Sequence, residues 1–218
     1  MQAFLQPEVR DWWVQRIMGP IEHVFIKRKI SPNAITITGL FFCFFCALLF
    51  ATGHLLSAGW IILFTGSLDF LDGRVARATN QVTEQGSFLD SVADRYQDFM
   101  LFGGLCIFYR ESWVFYFLLL ALGGTLLVSY VRAKADTMGV DLREIGAMQR
   151  PERMFSLGFG SIVSSALQVS LMPFWGKGNP PPQHVLILVI IGLAISTNWT
   201  AIRRIRYTMQ ILKTKERV

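Results

Sequence analysis

Six long apolar stretches, separated by short polar segments, dominate the pattern of this 218-residue chain. Each is close to the roughly 20 residues that an α-helix needs to cross the hydrocarbon core of a membrane. We therefore predict an all-α integral membrane protein in which helices joined by short connections run antiparallel. The six predicted transmembrane helices are residues 33–53, 56–77, 87–109, 112–135, 153–175 and 183–206.

The residues before the first span have a different pattern, because apolar and basic side chains are mixed there. Residues 7–29 combine Trp12 and Trp13 with several Lys and Arg, which is typical of a helix lying at the membrane surface. We expect residues 1–32 to form an N-terminal amphipathic interfacial helix and residues 33–218 to form the six-helix domain. The alternative is a soluble N-terminal arm.

Composition and charge agree with a membrane location. Hydrophobic residues make up 52% of the chain and the mean hydropathy is +0.41, which is too apolar for an ordinary soluble domain. Of the 21 Lys and Arg, only Arg110 and Lys177 fall opposite the N-terminus in the six-span layout. Because basic residues mark the cytoplasmic side, we predict that both termini face the cytoplasm from the cell membrane. The net charge of +6 then reflects basic residues concentrated on the cytoplasmic side of the membrane, and we expect no nucleic acid as a partner.

Carboxylates concentrate in one stretch of the chain. Asp69 and Asp72 are three residues apart, and Asp90 and Asp94 are four apart, so each pair shares one face of a helix. We place these acids in the cytoplasmic leaflet, where a charge costs at least a few kcal/mol unless it is paired. A cluster of oxygen ligands suits Mg²⁺ or Mn²⁺, and it indicates a functional site facing the cytoplasm. The alternative is a set of internal salt bridges to Arg74, Arg77 and Arg95.

Two glycines lie beside these acids and leave the backbone accessible. Gly73 directly follows Asp72, and Gly86 precedes the third predicted span. Arg77 is a suitable partner for a phosphate once a metal neutralises the carboxylates. Acids, a cation and accessible backbone at the depth of the lipid headgroups favour phosphoryl transfer on a lipid.

The same residues resemble the full signature of the CDP-alcohol phosphotransferase family. The resemblance implies transfer of a phosphatidyl group, or another phosphoalcohol, from a CDP-linked donor to an alcohol, with release of CMP. It implies two divalent metal ions, and Asp94 as general base as well as metal ligand. The matching positions are Asp69-x-x-Asp72-Gly73-x-x-Ala76-Arg77, eight further residues, and Gly86-x-x-x-Asp90-x-x-x-Asp94. By the same resemblance, the metal ligands are Asp69, Asp72, Asp90 and Asp94, and the contacts to cytidine diphosphate are Asn33, Thr36, Gly73, Arg77 and Thr83.

A second polar group comes from the three later spans. Ser129 and Arg132 share a face near the end of the fourth span, Arg153 begins the fifth, and Arg204 lies near the end of the sixth. These arginines are either anchors that meet lipid phosphates or a binding site for a substrate phosphate. Their surrounding sequence resembles the branch of the family that makes phosphatidylinositol phosphate, which implies that these four residues bind the phosphate of inositol phosphate. Some members of that branch carry Lys where Arg132 stands.

We therefore predict transfer of a phosphatidyl group from CDP-diacylglycerol, or from a CDP-linked ether lipid, to inositol phosphate. Glycerol 3-phosphate is an alternative acceptor, because it also carries a phosphate. A divalent-cation transporter is an alternative from another class, since intramembrane carboxylates also line ion pathways. The later arginines argue against that alternative, because they would repel an incoming cation.

Two further expectations concern packing. Gly123-Gly124 and Gly158-x-Gly160 allow helices to approach closely, and we expect a homodimer embedded among membrane lipids. Asp98, one turn beyond Asp94, is expected to be a structural partner of an arginine and is given no role in the reaction.

Overall fold

A computed structural model describes residues 16, 18–142, 145–146, 148–172 and 183–216. Within these ranges the regular structure is entirely helical and comprises seven helices. They are α1 (Gly19–Lys27), α2 (Pro32–Ala51), α3 (Leu55–Ala78), α4 (Glu84–Phe108), α5 (Val114–Thr137), α6 (Arg150–Leu171) and α7 (His184–Lys215).

Each predicted span falls on one long helix, with differences at the ends. Helix α4 begins at Glu84 rather than at residue 87, because the Thr83 hydroxyl accepts a hydrogen bond from the Gly86 N–H at 3.0 Å and caps the helix. Helix α6 begins at Arg150 rather than at residue 153. Helix α7 continues to Lys215 rather than ending at residue 206, since an apolar pattern marks the part of a helix that suits a membrane and not the end of the helix. The predicted end of the fifth span, residue 175, lies outside the described residues.

Five of the long helices, α2, α3, α5, α6 and α7, are long and apolar enough to cross a membrane. Helix α4 has a similar length of 25 residues, but it is less apolar because it carries Asp90, Asp94, Arg95 and Asp98. The prediction of an all-helical fold with several candidate spans is therefore confirmed. A sixth crossing by α4 remains a prediction.

The six long helices form a closed ring around an apolar core. Neighbours around the ring follow the order α2, α3, α6, α7, α5 and α4, and α4 packs back against α2. The core is formed by buried side chains from every long helix, among them Phe50, Ile62, Leu105, Leu118, Leu157 and Ile190. Exposed aromatic side chains such as Phe41, Trp60 and Tyr116 lie on the outside, where lipid would surround the ring.

Helix α1 is the described part of the predicted interfacial helix, and residues 1–15 lie outside the described residues. It packs against α3, where Met18 joins a buried cluster with Leu71 and Val75. Arg74 of α3 donates a hydrogen bond to Glu22 of α1 at 2.7 Å. Its placement at a membrane surface remains a prediction.

The glycines that we expected at close helix contacts are used mainly within the chain. Gly124 of α5 packs against Thr197 of α7, and Gly158 of α6 packs against Ile62 of α3. Gly160 of α6 contacts Val189 of α7 in the same way, because it has no side chain. These contacts explain Gly124, Gly158 and Gly160 without a second copy of the chain, whereas a Cβ at Gly123 would meet nothing within 4 Å. The homodimer remains a prediction.

Candidate active site

A cavity of about 680 Å³ lies where α3, α4, α5, α6 and α7 come together. Side chains that the sequence placed in two separate groups line this single cavity. They are Asp69, Asp90 and Asp94 from the carboxylate stretch, and Ser129, Arg132, Arg153 and Arg204 from the later helices.

The carboxylates of Asp69 and Asp94 share one cation from the chain itself. Arg150, the first residue of α6, places its Nη1 2.9 Å from Asp69 Oδ2 and 2.6 Å from Asp94 Oδ1. Both oxygens are buried, and Arg150 is the cation paired with them, without a hydrogen bond of good geometry to either. Arg150 therefore lies at the centre of the carboxylate cluster.

Gln97 of α4 forms hydrogen bonds with both Arg150 and Asp69. Its Oε1 accepts a hydrogen bond from Arg150 Nη2 at 2.5 Å, and its Nε2 donates to Asp69 Oδ1 at 3.4 Å. Its side chain is fully buried, and its backbone carbonyl is approached by the Cys43 thiol at 3.5 Å. Gly39 of α2 permits this packing, because a Cβ there would lie 3.3 Å from Asp69 Oδ1.

The residue types fit a divalent metal, although the side chains are not gathered around one point. Among the described residues, no three acidic, histidine or cysteine side chains converge closely enough to hold one ion. Asp69, Asp90 and Asp94 face the same cavity, whereas Asp72 is buried and its Oδ2 accepts a hydrogen bond from Thr36 Oγ1 at 2.7 Å. Buried carboxylate oxygens that lack a hydrogen-bond donor, such as Asp69 Oδ2 and Asp94 Oδ1, are suitable ligands for Mg²⁺ or Mn²⁺.

The predicted nucleotide contacts gather where α2, α3 and α4 have their ends. Gly86 lies beside two of them, because a Cβ at Gly86 would be 3.1 Å from Thr83 Oγ1 and 3.2 Å from Asn33 Oδ1. Arg77 is exposed and folds back along α3, with its Nη1 3.4 Å from the position of a Cβ on Gly73. Thr36 joins this group through its hydrogen bond to Asp72. The structure thus brings all five predicted contacts to one end of the helix ring.

The wall of the cavity opposite the acids carries Ser129, Arg132, Arg153 and Arg204. Arg153 lies deep in this wall and is only 2% exposed. Its Nη2 donates to Asp98 Oδ2 at 2.7 Å, so the expectation that Asp98 pairs with an arginine is confirmed. Arg153 Nε is buried and donates no hydrogen bond. A donor of this kind is costly unless a ligand or water accepts its proton, which favours an anion in the cavity.

The other residues of this wall differ in how firmly they are held. Arg204 is buried and donates from Nε to the Ile145 carbonyl at 2.7 Å and from Nη1 to the Val128 carbonyl at 2.9 Å. Ser129 is half-buried and Arg132 is exposed. Arg204 is therefore fixed by backbone, while Arg132 is free to adjust to a ligand.

The salt-bridge alternative for the acids is borne out for only part of the predicted set. Arg95 Nη1 lies 3.5 Å from Asp94 Oδ2, but Arg74 pairs with Glu22 instead. The main cation, Arg150, has no role in our sequence predictions. The spacing of Arg150 and Arg153, which places both on one face of a helix at i and i+3, is the signal that could have revealed it.

This fold and this cavity define a class of membrane enzyme, and the chain belongs to the CDP-alcohol phosphatidyltransferase family, whose family model matches residues 29–210. The chain is 34% identical over 153 residues to the archaetidylinositol phosphate synthase of Pyrococcus horikoshii, covering 69% of this chain and 80% of that protein. It is 31% identical over 159 residues to the phosphatidylinositol phosphate synthase of Mycobacteroides abscessus, covering 71% of this chain and 72% of that protein.

Solved structures of a phosphatidylinositol phosphate synthase resemble this chain in fold. The phosphatidylinositol phosphate synthase of Mycobacterium tuberculosis with CDP-DAG bound matches with a TM-score of 0.74 and 27% identity, over 88% of this chain and 94% of that chain. The same synthase in complex with manganese and citrate matches with a TM-score of 0.73 and 26% identity, over 87% and 88% of the two chains. The predicted family and enzyme class are confirmed.

Proposed function

We propose that this protein transfers a phosphatidyl group from CDP-diacylglycerol to a hydroxyl of inositol phosphate and releases CMP. The observation that carries the proposal is that the signature acids share one cavity with Arg153 and Arg204. A phosphorylated acceptor bound to these arginines would present its hydroxyl to the acids. The synthases named above, including one with CDP-DAG bound, support this choice of substrates.

On the donor side, we assign the cytidine diphosphate to the ends of α2, α3 and α4. Arg77 would bind the diphosphate through charge-assisted hydrogen bonds, and Gly73 would let the nucleotide approach the backbone. The remaining contacts are those of Asn33, Thr36 and Thr83.

Asp69, Asp72, Asp90 and Asp94 would hold two Mg²⁺ or Mn²⁺ ions. When bound, the ions supply positive charge that stabilises the diphosphate and the departing CMP. The manganese complex of the Mycobacterium tuberculosis synthase supports a divalent ion at this site.

Asp94 is the general base of the proposed reaction. Its carboxylate accepts the proton of the acceptor hydroxyl, whose oxygen attacks the phosphorus that bears the lipid. A new phosphorus–oxygen bond forms, the bond to CMP breaks, and CMP leaves with the electron pair. Ser129, Arg132, Arg153 and Arg204 bind the acceptor phosphate and hold the hydroxyl in place for attack.

We further propose that α4 is the sixth membrane-crossing helix and that the cavity faces the cytoplasm. The pairing of α4 with α6 supports this, because Arg150 and Arg153 neutralise Asp94 and Asp98 inside the ring. The excess of basic residues on the side of the termini supports the orientation.

The test is CMP release by the purified protein in detergent with CDP-diacylglycerol and Mg²⁺ or Mn²⁺. Inositol phosphate, glycerol 3-phosphate, inositol and serine are supplied in separate reactions, with EDTA as the metal control. We expect release with inositol phosphate and none with EDTA. Release with glycerol 3-phosphate alone would overturn the acceptor, and CMP release unchanged by EDTA would overturn the metal assignment.

A further inference from the structure

Arg150 lines the cavity and is hydrogen-bonded to the fully buried Gln97, and the proposed reaction uses neither residue. The guanidinium of Arg150 lies between Asp69 of α3 and Asp94 of α4, within 2.9 Å and 2.6 Å of one oxygen of each. These oxygens belong to two of the proposed metal ligands. Arg150 and a divalent ion therefore require the same carboxylate oxygens.

The surroundings explain why a cation from the chain is needed there. Neighbouring carboxylates repel one another, and charges in a membrane interior are costly unless they are paired. Arg150 neutralises part of this charge, and Gln97 fixes it in place through the hydrogen bonds to Arg150 and to Asp69. Gln97 is thus a positioning residue that acts through its two neighbours.

We propose that Arg150 is the internal counter-ion of the metal site, and that a divalent ion binds to Asp69 and Asp94 by exchange with it. The inference rests on the proposed function in one respect, the binding of metal by these aspartates. The released guanidinium stays on the cavity wall, one helical turn from Arg153, where a substrate phosphate is its alternative partner.

Exchange predicts that Arg150 weakens metal affinity. When a ligand binds only the minor population of a protein, its apparent Kd rises by the inverse of that population. If Arg150 leaves the carboxylates about a tenth of the time, Arg150→Gln should tighten Mn²⁺ binding about tenfold. Mn²⁺ binding to the detergent-solubilised full-length protein can be followed by the electron paramagnetic resonance signal of free Mn²⁺, without substrate or turnover.

Arg95→Gln is the matched control, because it removes the same charge beside the same carboxylate. Arg95 is 3.5 Å from Asp94 Oδ2 and its side chain is 38% exposed, so its removal should change the Mn²⁺ affinity by less than about threefold. Equal tightening by Arg95→Gln and Arg150→Gln would overturn the proposal, because a general charge effect would then explain both. An unchanged or weaker affinity in Arg150→Gln would also overturn it.

Two further variants keep the test decisive. Arg150→Lys preserves the charge, but its side chain is shorter and lacks the second nitrogen with which Arg150 donates to Gln97, so its Mn²⁺ affinity should lie between the wild type and Arg150→Gln. A wild-type affinity in Arg150→Lys would contradict the exchange if Arg150→Gln did not fold. Asp94→Asn tests the underlying metal site: wild-type Mn²⁺ binding in that variant would remove the metal assignment itself, whereas weakened binding there with no effect at Arg150 would remove only the exchange.

Discussion

The cavity has two walls, an acidic wall that we assign to the donor and a basic wall that we assign to the acceptor, and they are built in different ways. The acids of the donor side come from α3 and α4, which are consecutive in the chain, and their spacing is fixed by helix geometry. The basic residues of the acceptor side come from α5, α6 and α7 and are positioned by partners far away in sequence, such as Asp98 for Arg153. In the proposed function, the local arrangement would supply chemistry common to every acceptor, whereas the assembled arrangement would determine which acceptor binds.

The two walls also depend on each other. Helix α6 contributes Arg150 to the carboxylate side and Arg153 to the acceptor side, only one turn apart. Changes on the donor side should therefore lower turnover with any acceptor, while changes on the acceptor side should alter the KM for a phosphorylated acceptor.

The largest effect is expected for Asp94→Asn. Loss of the proposed base should lower the rate of CMP release by about a hundredfold or more, while binding of the CDP-linked donor is retained at a metal concentration that saturates the variant. The measurement is CMP release together with donor binding. Glu111→Gln is the control, because Glu111 is an exposed acid that pairs with Arg110. Normal turnover in Asp94→Asn would contradict the assignment.

Arg153→Ala should raise the KM for inositol phosphate by about ten- to hundredfold, since a hydrogen bond to a charged group contributes about 1.5–3 kcal/mol. The change also leaves the buried Asp98 without its partner and should lower the melting temperature. Adding Asp98→Asn should restore much of the stability without restoring the KM. Recovery of both would show that Arg153 is only structural.

A smaller effect is expected for Arg77→Ala, because Arg77 is exposed and contacts solvent on one side. The KM for CDP-diacylglycerol should rise about tenfold through loss of a charge-assisted contact to the diphosphate. The KM for inositol phosphate should stay unchanged in the same assay. A rise in the KM for inositol phosphate alone would contradict the assignment of Arg77 to the donor.

The smallest effect is expected for Thr83→Ala. Loss of the hydrogen bond to the Gly86 N–H should reduce stability by about 1 kcal/mol, as for other helix caps. Thr83→Ser keeps a hydroxyl and should behave like the wild type in a thermal unfolding experiment. Equal destabilisation by Ser and Ala would show that the cap is not the source of the effect.

Features that depend on neighbouring residues could be predicted from the sequence. Helical spacing predicted a shared face for Asp90 and Asp94, which both line the cavity, and the apolar pattern located all six long helices. The predicted pairing of Asp69 with Asp72 is not matched there, because Asp72 is buried against Thr36 while Asp69 lines the cavity.

The i, i+3 spacing of Arg150 and Arg153 indicates a shared helix face, but it does not identify the partner of Arg150, because Asp69 lies on a helix far earlier in the chain. The hydrogen bonds from Arg204 to backbone carbonyls are also invisible in sequence, since every residue type offers a carbonyl.

Helix order has a consequence for the synthesis of the protein. Helices α3 and α4, with Asp69, Asp94 and Asp98, leave the ribosome before α6 supplies Arg150 and Arg153. During that interval α4 carries acids whose later partners do not yet exist, so its stable residence among lipids is disfavoured. With α4 as the proposed sixth crossing, the addition of α6 is thus also the step that makes α4 compatible with the bilayer, and biogenesis of the site is coupled to the last two helices.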